Sequence, residues 1–162
     1  DIHFETPLKT TDFDLTMSGG SDLENLSLDC TDFTGNFSGG CDAEIRFLSA
    51  RNITANVSGG SDIELFDINA QQCRIDASGG CDVKLKGKTQ EFSINASGGC
   101  DVSASDFEAR NCNAGFSGAA DGEIRVTERL DITVSGSSDV VCYGNPRQVE
   151  KRVNKSSSLK MR

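Results

Sequence analysis

Carboxylates recur along this chain in a pattern that could bind a metal or cleave a sugar. Asp22 and Glu24, Asp42 and Glu44, Asp62 and Glu64, and Asp121 and Glu123 each stand two residues apart, and the first three pairs repeat every 20 residues. Two residues apart on a strand means the same face, so each pair points to one side. Stacked pairs of oxygen ligands suit Ca²⁺, which would relieve the repulsion between like charges on adjacent strands. Asp22, Glu24, Asp42, Glu44, Asp62 and Glu64 are therefore the candidate Ca²⁺ ligands. Paired carboxylates are also the tools of glycoside hydrolysis. The competing structural reading has each Asp capping backbone N–H groups of its own turn, a habit of aspartate. Lys84 stands where the pattern calls for an acid beside Asp82, so the stripe is interrupted there.

Other reaction classes find little material. The sole histidine is His3, near the N-terminus, and no Gly-x-Ser-x-Gly elbow occurs, which argues against a Ser or Cys hydrolase with a histidine base. Tryptophan is absent and Tyr143 is the single tyrosine, so aromatic platforms for sugars are scarce. The seven cysteines include no Cys-x-x-Cys pair, which removes the usual zinc and thioredoxin spacings. Cys73 and Cys112 fall at inward positions and read as small core residues. Cys81 and Cys100 occupy equivalent positions of successive repeats, close enough to bridge if their Cβ vectors permit, although free thiols are the favoured reading.

What positions these residues is a repeat. Ser-Gly-Gly-(Ser/Cys)-Asp ends at Asp22, Asp42, Asp62, Asp82 and Asp101, then degrades to Ser-Gly-Ala-Ala-Asp at Asp121 and Ser-Gly-Ser-Ser-Asp at Asp139. The steps are 20, 20, 20, 19, 20 and 18 residues. After each Asp, apolar side chains occupy alternate places: Leu23, Ala43, Ile63, Val83, Val102 and Val140 one residue later, with Gly122 in the same slot. Three residues later stand Asn25, Ile45, Leu65, Leu85, Ala104, Ile124 and Cys142. A second alternating block closes each unit, as in Ile53-Ala55-Val57 and Leu130-Ile132-Val134. Between the blocks lies an isolated apolar position at Leu28, Leu48, Ile68 and Phe107. Period-2 alternation signals strands with one buried face. No unit can bury that face alone, so the units must stack.

A leucine-rich-repeat horseshoe would need its own signature and a helical return segment, and neither is present. The expected fold is therefore all-β: a parallel β-helix of about 20 residues per rung, with rungs ~4.8 Å apart and a height of ~35–40 Å. The Gly-Gly pair supplies a corner where positive φ is needed, and the small residue after it forms a stacked column. Residues 1–162 make one domain, with 1–12 a lead-in or cap, 13–142 regular rungs and 143–162 a last, degenerate basic rung. Ile2, Phe4 and Leu8 are the candidates to cover the N-terminal end. An uncovered end exposes strand edges and invites end-to-end pairing of copies.

The net charge of −9 argues against nucleic acid as a partner. It is unevenly spread: the segment from Tyr143 to Arg162 carries +5, the rest −14. That basic tail is either a solvated terminus or a docking surface for an anionic partner. No 18-residue apolar run exists to span a membrane, and no signal peptide is visible in a chain that opens on Asp1. The column Thr16, Asn36, Asn56, Asp76, Asn95, Gly115 and Thr133 should face solvent beside Asp14, Thr34, Thr54, Arg74, Ser93, Asn113 and Asp131. Such a flat polar sheet is a plausible docking face for glycans or protein.

With its Gly-Gly-(Ser/Cys)-Asp corners, 20-residue period and closing Val-Cys-Tyr-Gly-Asn-Pro stretch at Val141–Pro146, the chain resembles the GIN-type head domain of auto-transporter adhesins. It departs by placing Cys where Ser or Gly is commoner at the corner. The resemblance implies a right-handed β-helix, a sense that parallel crossovers also favour. It further implies a protein of the Bacteroidetes type, exported to the periplasm, outer membrane or cell surface, with no catalytic residues to carry over. The resulting expectation is a non-catalytic binding or adhesion module with no cofactor, whose partner is a cell-surface protein or glycan. The alternatives are a carbohydrate-acting or glycan-binding β-helix of the pectate-lyase type, and a structural spacer within a larger envelope protein.

Overall fold

The computed structural model describes residues 1–162, all strands, turns and bends. The elements are β1 (Ile2–His3), β2 (Leu8–Lys9), β3 (Asp12–Gly19), β4 (Asp22–Asp29), β5 (Asp32–Gly39), β6 (Asp42–Ser49), β7 (Asn52–Gly59), β8 (Asp62–Gly79), β9 (Asp82–Gly98), β10 (Asp101–Phe116), β11 (Asp121–Val134), β12 (Asp139–Tyr143), β13 (Gln148–Val153) and β14 (Ser158–Met161). There is no helix, hence none long and apolar enough to cross a membrane. All pairings are parallel and join each strand to its equivalent one turn away. The chain is thus a β-solenoid of about eight turns with about 20 residues per rung, as its period dictates.

One wall stacks β4, β6 and the first halves of β8 to β11; the other stacks β3, β5, β7 and the second halves of those long strands. Register is strict at the motif: Asp62 lies opposite Asp82, Asp82 opposite Asp101, and Gly79 opposite Gly98. The lead-in is itself part of a rung, because β1 and β2 both pair with β4. At the other end β13 pairs with β11 and β14 with β12, so the basic segment adds a further turn.

Alternation along each wall sends every second side chain inward, and those side chains merge into one cluster of 44 buried apolar residues that runs from Met17 to Cys142 without a break. The expected inward positions hold at Leu28, Ile68 and Phe107, all at most 2% exposed, but not at Leu48 or Asn25. Leu48 is 56% exposed and Phe47 is buried in its stead, while Leu26 is buried beside an exposed Asn25. The cause is a pair of compensating bulges. Leu23 pairs with Ala43, but Leu26 pairs with Ile45, so Asn25 is one residue too many for its rung. Leu28 then pairs with Phe47 and Asp29 with Ser49, so Leu48 is the extra residue of the next rung. Asn25 accommodates the kink with φ 58°, a conformation asparagine tolerates better than most residues.

Similar register breaks lie between Leu65 and Ile68 and between Ser103 and Phe107. Unequal repeat lengths are thereby absorbed at the bend of the first wall. The Gly corners stay stacked.

The corner itself divides the Gly-Gly pair into unequal halves. Positive φ occurs at the first glycine of every copy, from Gly19 (φ 76°) to Gly136 (φ 79°), and at none of the second glycines. The degenerate copies agree: they keep Gly118 and Gly136 but replace the second glycine with Ala119 and Ser137. The fourth motif residue closes the turn, with the Ser61 hydroxyl donating to the Ser58 carbonyl at 3.0 Å and the Cys100 thiol donating to the Ser97 carbonyl at 3.1 Å. Ser and Cys substitute for one another there because hydroxyl and thiol make the same local bond, as at Ser21 and Cys41; Ala120 alone in the column has no side-chain donor.

Candidate functional site

Two surfaces collect the polar side chains singled out in the sequence, one on each wall. On the first wall Asp22, Glu24, Asp42, Glu44, Asp62 and Glu64 line a single open groove of ≈ 330 Å³. Asp62 and Glu64 share the next groove, of ≈ 310 Å³, with Asp82, Lys84, Asp101 and Ser103. The strands place them there through their register, Glu44 opposite Glu64 and Glu64 opposite Lys84. The Lys84 ammonium sits 3.3 Å from a Glu64 carboxylate oxygen, so the residue that interrupts the stripe also neutralises part of it.

The electrostatic signature of the stripe is carried by Asp82. Partial burial, reinforced by the facing charges of Asp62 and Asp101, raises its carboxyl above the ordinary value. No three acidic, histidine or cysteine side chains converge at metal-ligating geometry here or elsewhere. Nor do the motif aspartates cap their own corners. The carboxylate of Asp121 accepts a bond from the Asp139 backbone N–H at 2.8 Å, one rung away, and the corner bonds fall instead to the neighbouring Ser or Cys.

The second wall is a polar ladder. Asn56 donates through Nδ2 to Oδ1 of Asn36 at 2.9 Å, and Asn95 donates likewise to Asp76 at 2.9 Å. Arg74 Nε donates to the other Asp76 oxygen at 2.8 Å. Burial works against the Asp76 charge, but the bonds from Asn95 and Arg74 and the adjacent guanidinium outweigh it and hold the carboxyl below its ordinary value. The expected solvent-facing column of short polar residues is therefore a hydrogen-bonded structure in its own right.

Beside that ladder opens a broad groove of ≈ 590 Å³, spanning β8 to β11. Its rim is built from two register columns: Gln72, Glu91, Asn111 and Arg129 on one side, Arg74, Ser93, Asn113 and Asp131 on the other. The floor is Cys73, Phe92 and Cys112, each at most 4% exposed. Phe92 is held from below by an edge-on contact with Phe107, ring centroids 5.0 Å apart. Asn111 Nδ2 donates to Glu91 Oε1 at 2.7 Å, which orients both side chains along the groove. The arrangement supplies amide, guanidinium and carboxylate groups in rows one rung apart. It can bind an extended polar ligand through many hydrogen bonds.

Arg74, Ser93, Asn113 and Asp131 were legible in the sequence as outward residues, whereas Gln72, Glu91, Asn111 and Arg129 were missed. Their signal was available: each immediately precedes an inward residue of the second block. His3 lies exposed on β1, opposite Glu24 in register and with Nδ1 3.5 Å from Asn25 Nδ2, so it sits beside the first rung of the acidic groove and does not line the groove over β8–β11.

Comparison with known families settles what kind of chain carries this ladder. A family model described as "Putative auto-transporter adhesin, head GIN domain" matches twice, over residues 1–69 and 64–146, and so accounts for most of the solenoid. The chain belongs to that family. The resemblance noted at the corner motif and at Val141–Pro146 thus extends across the rungs of this GIN head domain. No curated protein matches it. An adhesin head fits a binding or surface-associated role, and a rod walled by exposed polar sheets is a form suited to one.

Proposed function

We propose that this GIN head domain is a non-catalytic, exported binding module that presents the groove over β8–β11 to a hydroxyl-rich partner, a glycan chain at the cell surface. The observation that carries this reading is the groove itself: eight hydrogen-bonding side chains in two rows, repeated at rung spacing across four turns. Planar amides, guanidinium and carboxylate groups are the partners that sugar hydroxyls need, because each can donate or accept in a fixed direction. The buried floor at Phe92 keeps the rows rigid. The adhesin family supports a surface partner over a substrate. The regularity of the acidic stripe, with Asp42 opposite Asp62 and Glu44 opposite Glu64, supports a wall over an active site.

The test is an oligosaccharide array probed with the intact chain, followed by titration of the best binder. The double variant Asn111→Ala/Asn113→Ala should weaken binding by roughly 10–30-fold, the loss of two hydrogen bonds of about 1 kcal/mol each. Asp22→Asn/Asp42→Asn on the other wall should leave it unchanged. Binding should persist in chelator. Loss of binding with calcium removal would move the site to the Asp22–Glu64 stripe. An array without any binder, or turnover of the bound sugar, would sink the reading.

A further inference from the structure

The inward corner column of the rod reads Ser21, Cys41, Ser61, Cys81, Cys100, Ala120, Ser138, and two sulfurs are neighbours at only one step of it. There Cys81 and Cys100 bring their Sγ atoms to 2.7 Å, the one thiol–thiol contact in the molecule. Both side chains are fully buried. Their backbones are locked at rung spacing, since the Asp101 N–H donates to the Cys81 carbonyl at 2.9 Å and Asp82 lies opposite Asp101. That spacing falls within the Cα–Cα range a disulfide accepts. No other two cysteine sulfurs make a contact, and Cys142, whose charge reaches Cys112, turns its thiol to the Tyr143 carbonyl instead. Cys41 is flanked in the column by Ser21 and Ser61, and Phe92 stands between Cys73 and Cys112 in register.

From this we infer that Cys81 and Cys100 are a covalent cross-rung link, a disulfide joining β8's corner to β9's in the middle of the rod.

The bond forms by exchange with an external disulfide such as oxidised glutathione. One cysteine thiolate attacks that disulfide and releases one reduced thiol. The second cysteine then attacks the mixed disulfide and releases the other, so the two cysteines are oxidised and the reagent is reduced to two thiols. The folded rod resists this exchange in both directions. Burial, together with the hydrogen bond and charge of Cys100, pushes the Cys81 thiol up to about 12, which leaves little thiolate, and neither sulfur is reached by solvent. Oxidation therefore belongs to folding, when the thiols are still exposed at their ordinary pKa. Once formed, the bond is shielded from reductant. Serine is a native occupant of this column at Ser61, where its hydroxyl makes the corner bond, so Cys81→Ser and Cys100→Ser retain the fold.

The test refolds the reduced, denatured full chain in a buffer of reduced and oxidised glutathione, then unfolds and alkylates it. Five of the seven cysteines should take up the label, and peptide mapping should recover Cys81 linked to Cys100. In Cys81→Ser all six remaining cysteines should be labelled. The folded, reduced protein placed in the same buffer should acquire the link at least tenfold more slowly. Labelling of all seven after oxidative refolding, or a link between any other pair, overturns the inference. It stands apart from sugar binding, since neither sulfur touches the groove.

Discussion

Replacing one glycine of a Gly-Gly pair should unfold rungs, and replacing its neighbour should do nothing. In the pair Gly79-Gly80, Gly79 has φ 98°, and a Cβ built on it would stand 2.7 Å from the carbonyl oxygen and 3.0 Å from the nitrogen of Gly59 one rung away. Gly80 has no atom within 4 Å of its own Cβ position. Alanine at position 79 must hold a conformation that costs a non-glycine residue about 1–3 kcal/mol. It must also push the rungs apart at the corner, weakening the bond from the Gly80 N–H to the Gly59 carbonyl, 2.8 Å long and worth about 1 kcal/mol. Gly79→Ala should therefore lose about 3 kcal/mol, and Gly80→Ala no more than about 0.5 kcal/mol. Urea denaturation followed by far-ultraviolet circular dichroism reads both, with the slope checked to confirm that the unfolding unit is unchanged. Equal losses in the two variants, or a Gly79→Ala midpoint indistinguishable from the parent, would refute the claim that backbone contact between stacked corners dictates the first glycine.

Two further outcomes test the bulges and the charges. Phe47→Ala should destabilise by about 3–5 kcal/mol because it empties a buried aromatic site, whereas Leu48→Ala next to it should stay within about 0.5 kcal/mol; the same denaturation assay separates them. The pH dependence of stability should carry opposite signatures from two aspartates. The Asp76 carboxyl is held below its ordinary value, so its contribution is present above the ordinary carboxylate range and lost as pH falls through the lowered value. Asp76→Asn should thus destabilise at neutral pH, with the difference fading in acid. The Asp82 carboxyl is raised, so the native state loses stability as pH rises through the raised value; Asp82→Asn should stabilise at neutral pH and flatten that fall. Melting temperatures across a pH series check both signs, and parallel curves for either variant would contradict them.

The period, the strands and the polar column were readable in the sequence because they follow from one-residue arithmetic: a motif every 20 residues and alternation between motifs. What escaped was anything set by comparison between rungs. Leu48 looked inward by counting from its own Asp, and only the pairing of its neighbours Phe47 and Ser49 with Leu28 and Asp29 reveals it as the surplus residue. Both glycines of a corner looked equivalent because the close approach that distinguishes them comes from the rung beside, not from the chain before or after. The aspartates looked like turn caps, since that is what aspartate does in isolated turns, yet the neighbouring Ser61 or Cys100 already satisfies the corner. The groove was half legible. Asn113 and Asp131 belonged to the visible column, but Gln72, Glu91, Asn111 and Arg129 become a row only when four rungs are stacked.

The uniform parallel stacking also fixes how the rod answers a pull. Hydrogen bonds between successive rungs, such as Gly80 N–H to the Gly59 carbonyl, run along the axis rather than across it. Tension along that axis loads one row of bonds at a time, so the rod peels instead of shearing. Each released rung of about 20 residues pays out ~65–70 Å of extended chain, while the rungs behind it keep their shape. A rod built this way should lengthen in steps under load while the side-chain rows on the intact turns stay in place. A link at Cys81–Cys100 would set the point in the rod at which that yielding stops.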